Sequence, residues 1–131
     1  MAEWPHGPGV YVVWQTDDSD RPLYVGKAAD LHKRWRRNHL ANRSNTSALR
    51  RSLAIHLQLV SAKLKRGQRA HPAPVEDAIT DFLERCSVEL HPVSTRQEAA
   101  QLEQTLIESM EPLLNIQRRR RTPSSVRRLS N

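Results

Sequence analysis

The stretch Gly9 to Lys27, GVYVVWQTDDSDRPLYVGK, decides how this 131-residue chain is expected to fold. Gly9 to Trp14 is a β-branched and aromatic run, and Pro22 to Lys27, PLYVGK, is a second one after a polar interval. Two such runs joined by a loop of about six residues predict an antiparallel hairpin. A register that sets Val12 opposite Leu23 and Val10 opposite Val25 places Tyr11 beside Tyr24 on the other face. One face is then aliphatic, and the other carries two phenols.

Outward from the hairpin, Asp30 can cap a helix running to about His39, and Ala41 to Thr46 reads as a polar loop. From Ser47, the residues Leu49, Leu53, Ile55, Leu57, Val60 and Leu64 recur at helical spacing, which predicts a basic amphipathic helix to about Arg66. Gly67 to Pro74 interrupts it. Pro74 can open a further helix to about Glu84, with Ile79, Phe82 and Leu83 turned inward. Cys86 to Val93, CSVELHPV, alternates as a half-buried strand, and Pro92 favours its end or a sheet edge. Thr95-Arg-Gln-Glu98 is a capping box for a helix to about Met110, which Pro112 stops. From Arg118 onward arginine, serine, threonine and proline dominate, so residues 118–131 are expected to form a disordered basic tail after a single domain of 1–117.

Charge narrows the classes of partner. The total of +7 conceals blocks of −3 over 1–26, +11 over 27–69, −7 over 70–117 and +6 over 118–131. Two basic blocks bracketing an acidic one suggest a polyanion-binding surface, nucleic acid above all. Cys86 is the only cysteine, which excludes an internal disulfide or a thiolate zinc cluster and fits a reducing, cytoplasmic setting. The six histidines show no convincing zinc-ligand spacing. No secretion signal or apolar run of membrane-spanning length is evident, so the chain reads as soluble.

Polar side chains at positions where a purely structural pattern wants apolar ones mark a candidate site. Ala99, Leu106 and Ile107 share a helix stripe with Glu103. A carboxylate there needs a cation, a metal or a hydrogen-bond donor. Arg34 lies one turn from Leu31, Trp35 and Asn38. With Tyr11 and Tyr24, these residues would line one polar pocket at one side of the sheet.

Gly9-Val10-Tyr11 and Tyr24-Val25-Gly26 resemble the paired motifs of the GIY-YIG nucleases. Lys27 and Ala28 continue the second motif, Leu31 and Arg34 resemble the helix that follows it, Glu103 resembles the helix-borne metal ligand, and Pro112 to Asn115, PLLN, resembles the closing segment. The resemblance spans residues 7–117. It implies an α+β fold, a small three-stranded antiparallel sheet flanked by helices, here with an extra helical insertion over 47–84. It also implies a metal-dependent DNA endonuclease that hydrolyses phosphodiester bonds, using a single Mg²⁺ or Mn²⁺ on Glu103. In that reading Tyr11 is the general base or orients the water, Tyr24 and Lys27 assist, and Arg34 binds the scissile phosphate. Asn115 holds the Glu103 helix end or a phosphate oxygen. Arg37, His39, Arg50 and Arg51, with Lys63, Lys65 and the tail, are candidates for contacting the DNA backbone; a solvated helix face explains them equally well. The chain departs from the pattern four residues after Arg34, where some family members carry histidine or tyrosine. Here Asn38 occupies that position and His39 follows it.

Two other readings compete. A catalytically inactive nucleic-acid-binding module would keep the fold without cutting. An RNA-associated basic protein would bind without metal and would have no use for an inward Glu103. The monomer and the homodimer are both open, since one site cuts one strand at a time.

Overall fold

The computed structural model describes residues 4–15, 20–35, 47–61 and 71–115. Arg37, Asn38, His39, Lys63, Lys65 and the arginine-rich tail lie outside these residues, as does the polar loop expected over 41–46. The elements are β1 (Gly9–Trp14), β2 (Tyr24–Ala28), α1 (Leu31–Lys33), α2 (Ala48–His56), α3 (Ala73–Glu84), β3 (Ser87–Pro92) and α4 (Arg96–Met110). Their order is the expected one. The sheet runs β2-β1-β3 with both pairings antiparallel, so the fold is α+β, as the resemblance implied.

The hairpin register differs from expectation by two residues. Val12 faces Val25, Val10 faces Lys27, Val13 faces Tyr24 and Tyr11 faces Gly26. Leu23, expected opposite Val12, lies before β2 and packs with the tyrosines instead. A two-residue slip keeps each strand side chain on its face, so local periodicity cannot select between the two registers. Contacts distant in sequence do. The ring of Tyr11 lies over Gly26, where an added Cβ would collide with its hydroxyl oxygen and Cζ. The carbonyls of Pro22 and Leu23 are taken by the N–H groups of Leu113 and Leu114, at 3.1 and 2.9 Å, so β2 begins at Tyr24 rather than Pro22.

Two hydrophobic layers cover the sheet. One face carries Tyr11, Val13, Tyr24 and Ala28 and packs against Trp4, Leu31, Trp35, Leu49, Leu53, Ile79 and Leu83. The opposite face carries Val10, Val12 and Val25 and packs against Ala99, Leu102, Leu106 and Ile107 of α4. The capping box of α4 forms as expected: the Glu98 N–H donates to Thr95 Oγ1 at 3.1 Å.

The helix after Ser47 stops far short of Arg66. Gln58 adopts φ 59°, the Gln58 N–H donates to the Ile55 carbonyl and the Leu59 N–H donates to the Ala54 carbonyl, both at 2.9 Å. This pair of bonds is a Schellman stop with glutamine where glycine is usual. The turn lets Leu59 and Val60 pack onto the core instead of continuing the helical row. No helix among the described residues is long and apolar enough to cross a membrane.

Candidate active site

Strand β2 is an edge strand, and its alternation distributes the candidate residues around that edge. Tyr24 and Gly26 project to the face that holds Tyr11, whereas Val25 and Lys27 project to the α4 face. The Tyr11 and Tyr24 rings meet with centroids 6.1 Å apart, tilted by 36°. Both are nearly enclosed, at 2% and 6% exposure. Gly26 is required by this approach, since any side chain there would also come within 2.8 Å of the Tyr24 ring.

Glu103 stands on the other side. It is half-buried on α4 and lines an open cleft of about 390 Å³ with Lys27, Ala100, Gln104, Ile107 and Glu108. A single pocket shared by both tyrosines, Arg34 and Glu103 on one side of the sheet is therefore corrected. The tyrosines belong to the α1 face, and Glu103 with Lys27 belongs to the α4 face. The reason is the pleat: neighbouring positions such as Val10 and Tyr11 point oppositely, and α4 must cover the aliphatic side that holds Val10, Val12 and Val25.

Arg34 follows α1 in helical conformation, φ −60° and ψ −48°, with its N–H bonded to the Asp30 carbonyl at 3.0 Å. Leu31 and Trp35 are buried on either side of it, which leaves Arg34 half-buried at the margin of the tyrosine face. Asp30 caps the turn through Lys33 N–H at 3.3 Å. Asn115 has a definite task. Its Oδ1 accepts from the Val25 N–H at 2.8 Å and its Nδ2 donates to the Val25 carbonyl at 3.0 Å. The amide thus closes the open edge of β2 between Tyr24 and Gly26 and ties the chain beyond α4 to the sheet.

Arg50 is corrected as a surface contact. It is 0% exposed. Its guanidinium donates to Glu76 Oε1 at 2.8 and 3.3 Å, to the Glu76 carbonyl at 2.7 Å and to Thr80 Oγ1 at 2.8 Å. The other Glu76 oxygen accepts the His71 N–H at 2.9 Å. A guanidinium bonded in this way inside the core is not available to a phosphate. Arg51 is half-buried on α2.

The sequence reading missed Glu76, although a signal existed: it lies three before Ile79 and seven before Leu83 on the inward stripe. Gln104 and Glu108 were also missed as cleft residues. Burial pushes the Cys86 thiol up to about 11 against the pull of Arg85. Among the described residues, no group of three or more His, Cys, Asp or Glu is placed to enclose a metal ion.

Comparison with protein families gives a match to the GIY-YIG catalytic domain over residues 9–130. The chain belongs to the GIY-YIG family. As a GIY-YIG catalytic domain it is a nuclease, a hydrolase with endonuclease function. Among solved structures it is similar to the GIY-YIG N-terminal endonuclease domain of UvrC from Thermotoga maritima, bound to its catalytic divalent cation, magnesium. That likeness has 24% identity, TM-score 0.43 and coverage of 84% of each chain. A point mutant of the same Thermotoga maritima domain, also bound to the catalytic divalent cation, gives 23% identity and TM-score 0.43 over 84% of this chain and 83% of that one. Comparison with curated proteins gives no match.

Proposed function

We propose that this GIY-YIG domain is a metal-dependent DNA endonuclease whose site wraps around the β2 edge and uses Tyr11, Tyr24, Lys27, Arg34, Glu103 and Asn115. The observation that carries the reading is the cleft in which Lys27 and Glu103 share a wall, on the strand that also presents Tyr24.

The donor set suits a hard, hydrated cation. Glu103, Gln104 and Glu108 offer only oxygen or amide groups, and about 390 Å³ leaves room for water ligands. One carboxylate supplemented by waters and a substrate phosphate is how Mg²⁺ or Mn²⁺ is usually held. Glu103 is the residue that would hold it. The bound ion would supply charge neutralisation at the phosphate and a more acidic water.

The protein's own residues supply the rest. Tyr11, fixed over Gly26, orients the attacking water or accepts its proton, with Tyr24 beside it. The ammonium of Lys27 favours the deprotonated nucleophile and stabilises developing negative charge. Arg34 presents a planar set of donors suited to two phosphate oxygens. Asn115 acts through β2, setting the edge from which Tyr24 and Lys27 project. Arg51, Arg37 and His39 are assigned to the flanking DNA backbone, whose binding weakens as salt rises. A cytoplasmic setting fits the single free Cys86.

A nicking assay tests the reading. Supercoiled, flapped, branched and single-stranded DNA are incubated with the protein in Mg²⁺, Mn²⁺ or EDTA. Cleavage that needs metal and disappears in Glu103→Ala is expected. Equal cleavage by the two proteins would remove the proposed site, whereas binding without cutting on every substrate would favour a non-catalytic module.

A further inference from the structure

Trp4 lies outside the motifs quoted above, yet it is 7% exposed and packs into the core on the tyrosine face. Its indole stacks on Trp35, with centroids 4.6 Å apart and planes within 20°, and packs at 5.7 Å against Tyr11. Trp35 is the neighbour of Arg34. One side chain therefore bridges the strand that carries Tyr11 and the turn that carries Arg34.

The backbone around Trp4 strengthens the bridge. The N–H groups of Leu31 and His32, the first two of α1, donate to the carbonyls of Gly7 and Pro5 at 2.9 and 3.1 Å. The His32 imidazole donates from Nδ1 to the Trp4 carbonyl at 3.1 Å. Gly7, at φ 101°, makes the bend that returns the chain to β1. A helix as short as α1 has almost no stability of its own, because nucleation is costly. Its position is instead set by Asp30, by these carbonyls and by the aromatic stack.

We propose that Trp4 is a positioning residue for phosphodiester cleavage, holding the Tyr11 phenol and the Arg34 turn at a fixed separation. The inference rests on the roles of Tyr11 and Arg34 proposed above. Trp4 touches no reacting atom, so its effect must pass through those two residues. The Glu103 cleft lies on the opposite face and is not part of the bridge.

A double-mutant cycle on the full chain tests this, using supercoiled plasmid and Mg²⁺. Trp4→Leu should lower kcat about 10- to 100-fold while KM changes little, the size expected when a catalytic group is displaced by about 1 Å. Trp4→Phe retains an aromatic plane and should show an intermediate loss. Mn²⁺ binding, followed by electron paramagnetic resonance, should stay at the wild-type level in both. In a Tyr11→Phe background the same Trp4→Leu change should cost much less, since part of what Trp4 positions is gone. Wild-type kcat in Trp4→Leu, or losses that multiply in the double variant, would overturn the proposal. Wild-type kcat in Tyr11→Phe would instead overturn the reading of Tyr11. If Trp4→Leu shows no cooperative melting, Trp4→Phe decides: a lowered kcat with wild-type Mn²⁺ binding supports the bridge, and wild-type kcat overturns it.

Discussion

Glu76 and Glu103 are both carboxylates on the apolar side of a helix, and their surroundings differ in one decisive respect. Around Glu76 the chain supplies its own counter-charge: Arg50 meets it in the core, and Thr80 and the His71 N–H complete the hydrogen bonding. Around Glu103 it supplies an open cleft, with Lys27 on the opposing strand and Gln104 and Glu108 on the same helix. A sealed and internally bonded carboxylate fastens α3 to α2. A half-buried one beside a lysine at an open cleft is the ligand proposed above for an external cation. The comparison also separates Arg50 from Arg34, since only the latter is left at the margin of a face.

The contrast can be broken most directly at Arg50. Arg50→Ala should strand Glu76 in the core and destabilise the fold by about 3–5 kcal/mol, measured by urea unfolding. Joint replacement by Arg50→Met and Glu76→Leu should recover most of that loss, because well-packed apolar groups can replace a buried ion pair. Wild-type stability in Arg50→Ala would mean that the pair is not what joins α2 to α3. At the other carboxylate the effect should fall on chemistry. Glu103→Gln should reduce metal-dependent nicking about 100- to 1,000-fold, the scale of losing a main electrostatic element of a site, with the unfolding midpoint little changed. A large loss of stability with proportionate activity would assign Glu103 to the core instead.

Asn115 sharpens the comparison at an intermediate level. Asn115→Ala removes both bonds to Val25 and should cost about 1–3 kcal/mol, visible as faster amide exchange in β2. The smallest effect is expected at Asp30. Burial pushes its carboxyl up, but the Lys33 N–H, the His6 imidazole and the charges of His6 and Lys33 outweigh that and hold it below 3.8. Its contribution is then complete above pH 3.8 and is lost as pH falls through the lowered value. Asp30→Asn should flatten this acid limb in a pH series of melting curves.

Much of this was legible before any coordinates. Strand parity put Tyr11 and Tyr24 on one face and the three valines on the other, and Thr95 with Glu98 announced the start of α4. Arg50 was misread although it lies three before Leu53 and four before Ala54 on the inward side of α2; what was not legible was its partner, 26 residues away. Asn115 could be marked only by resemblance, since the backbone it binds is 90 residues distant. The end of α2 was misread because Leu57 and Val60 continue a helical rhythm past a turn at Gln58 that uses them differently.

Covalent geometry makes side chains alternate along a strand and recur along a helix, so the sequence by itself determined the order of elements and the faces of the hairpin. Register, partner and face required the tertiary structure. A two-residue slip leaves alternation intact, and the fit of the Tyr11 ring over Gly26 and the capture of the Pro22 and Leu23 carbonyls by the segment after α4 distinguish the registers. An inward charge can be sealed in the core or stand at a cleft, and only packing between distant segments decides which. For the same reason Glu103 was visible as an inward carboxylate from its helix alone, while its place across the sheet from the tyrosines became visible only when α4 was laid on the valine face.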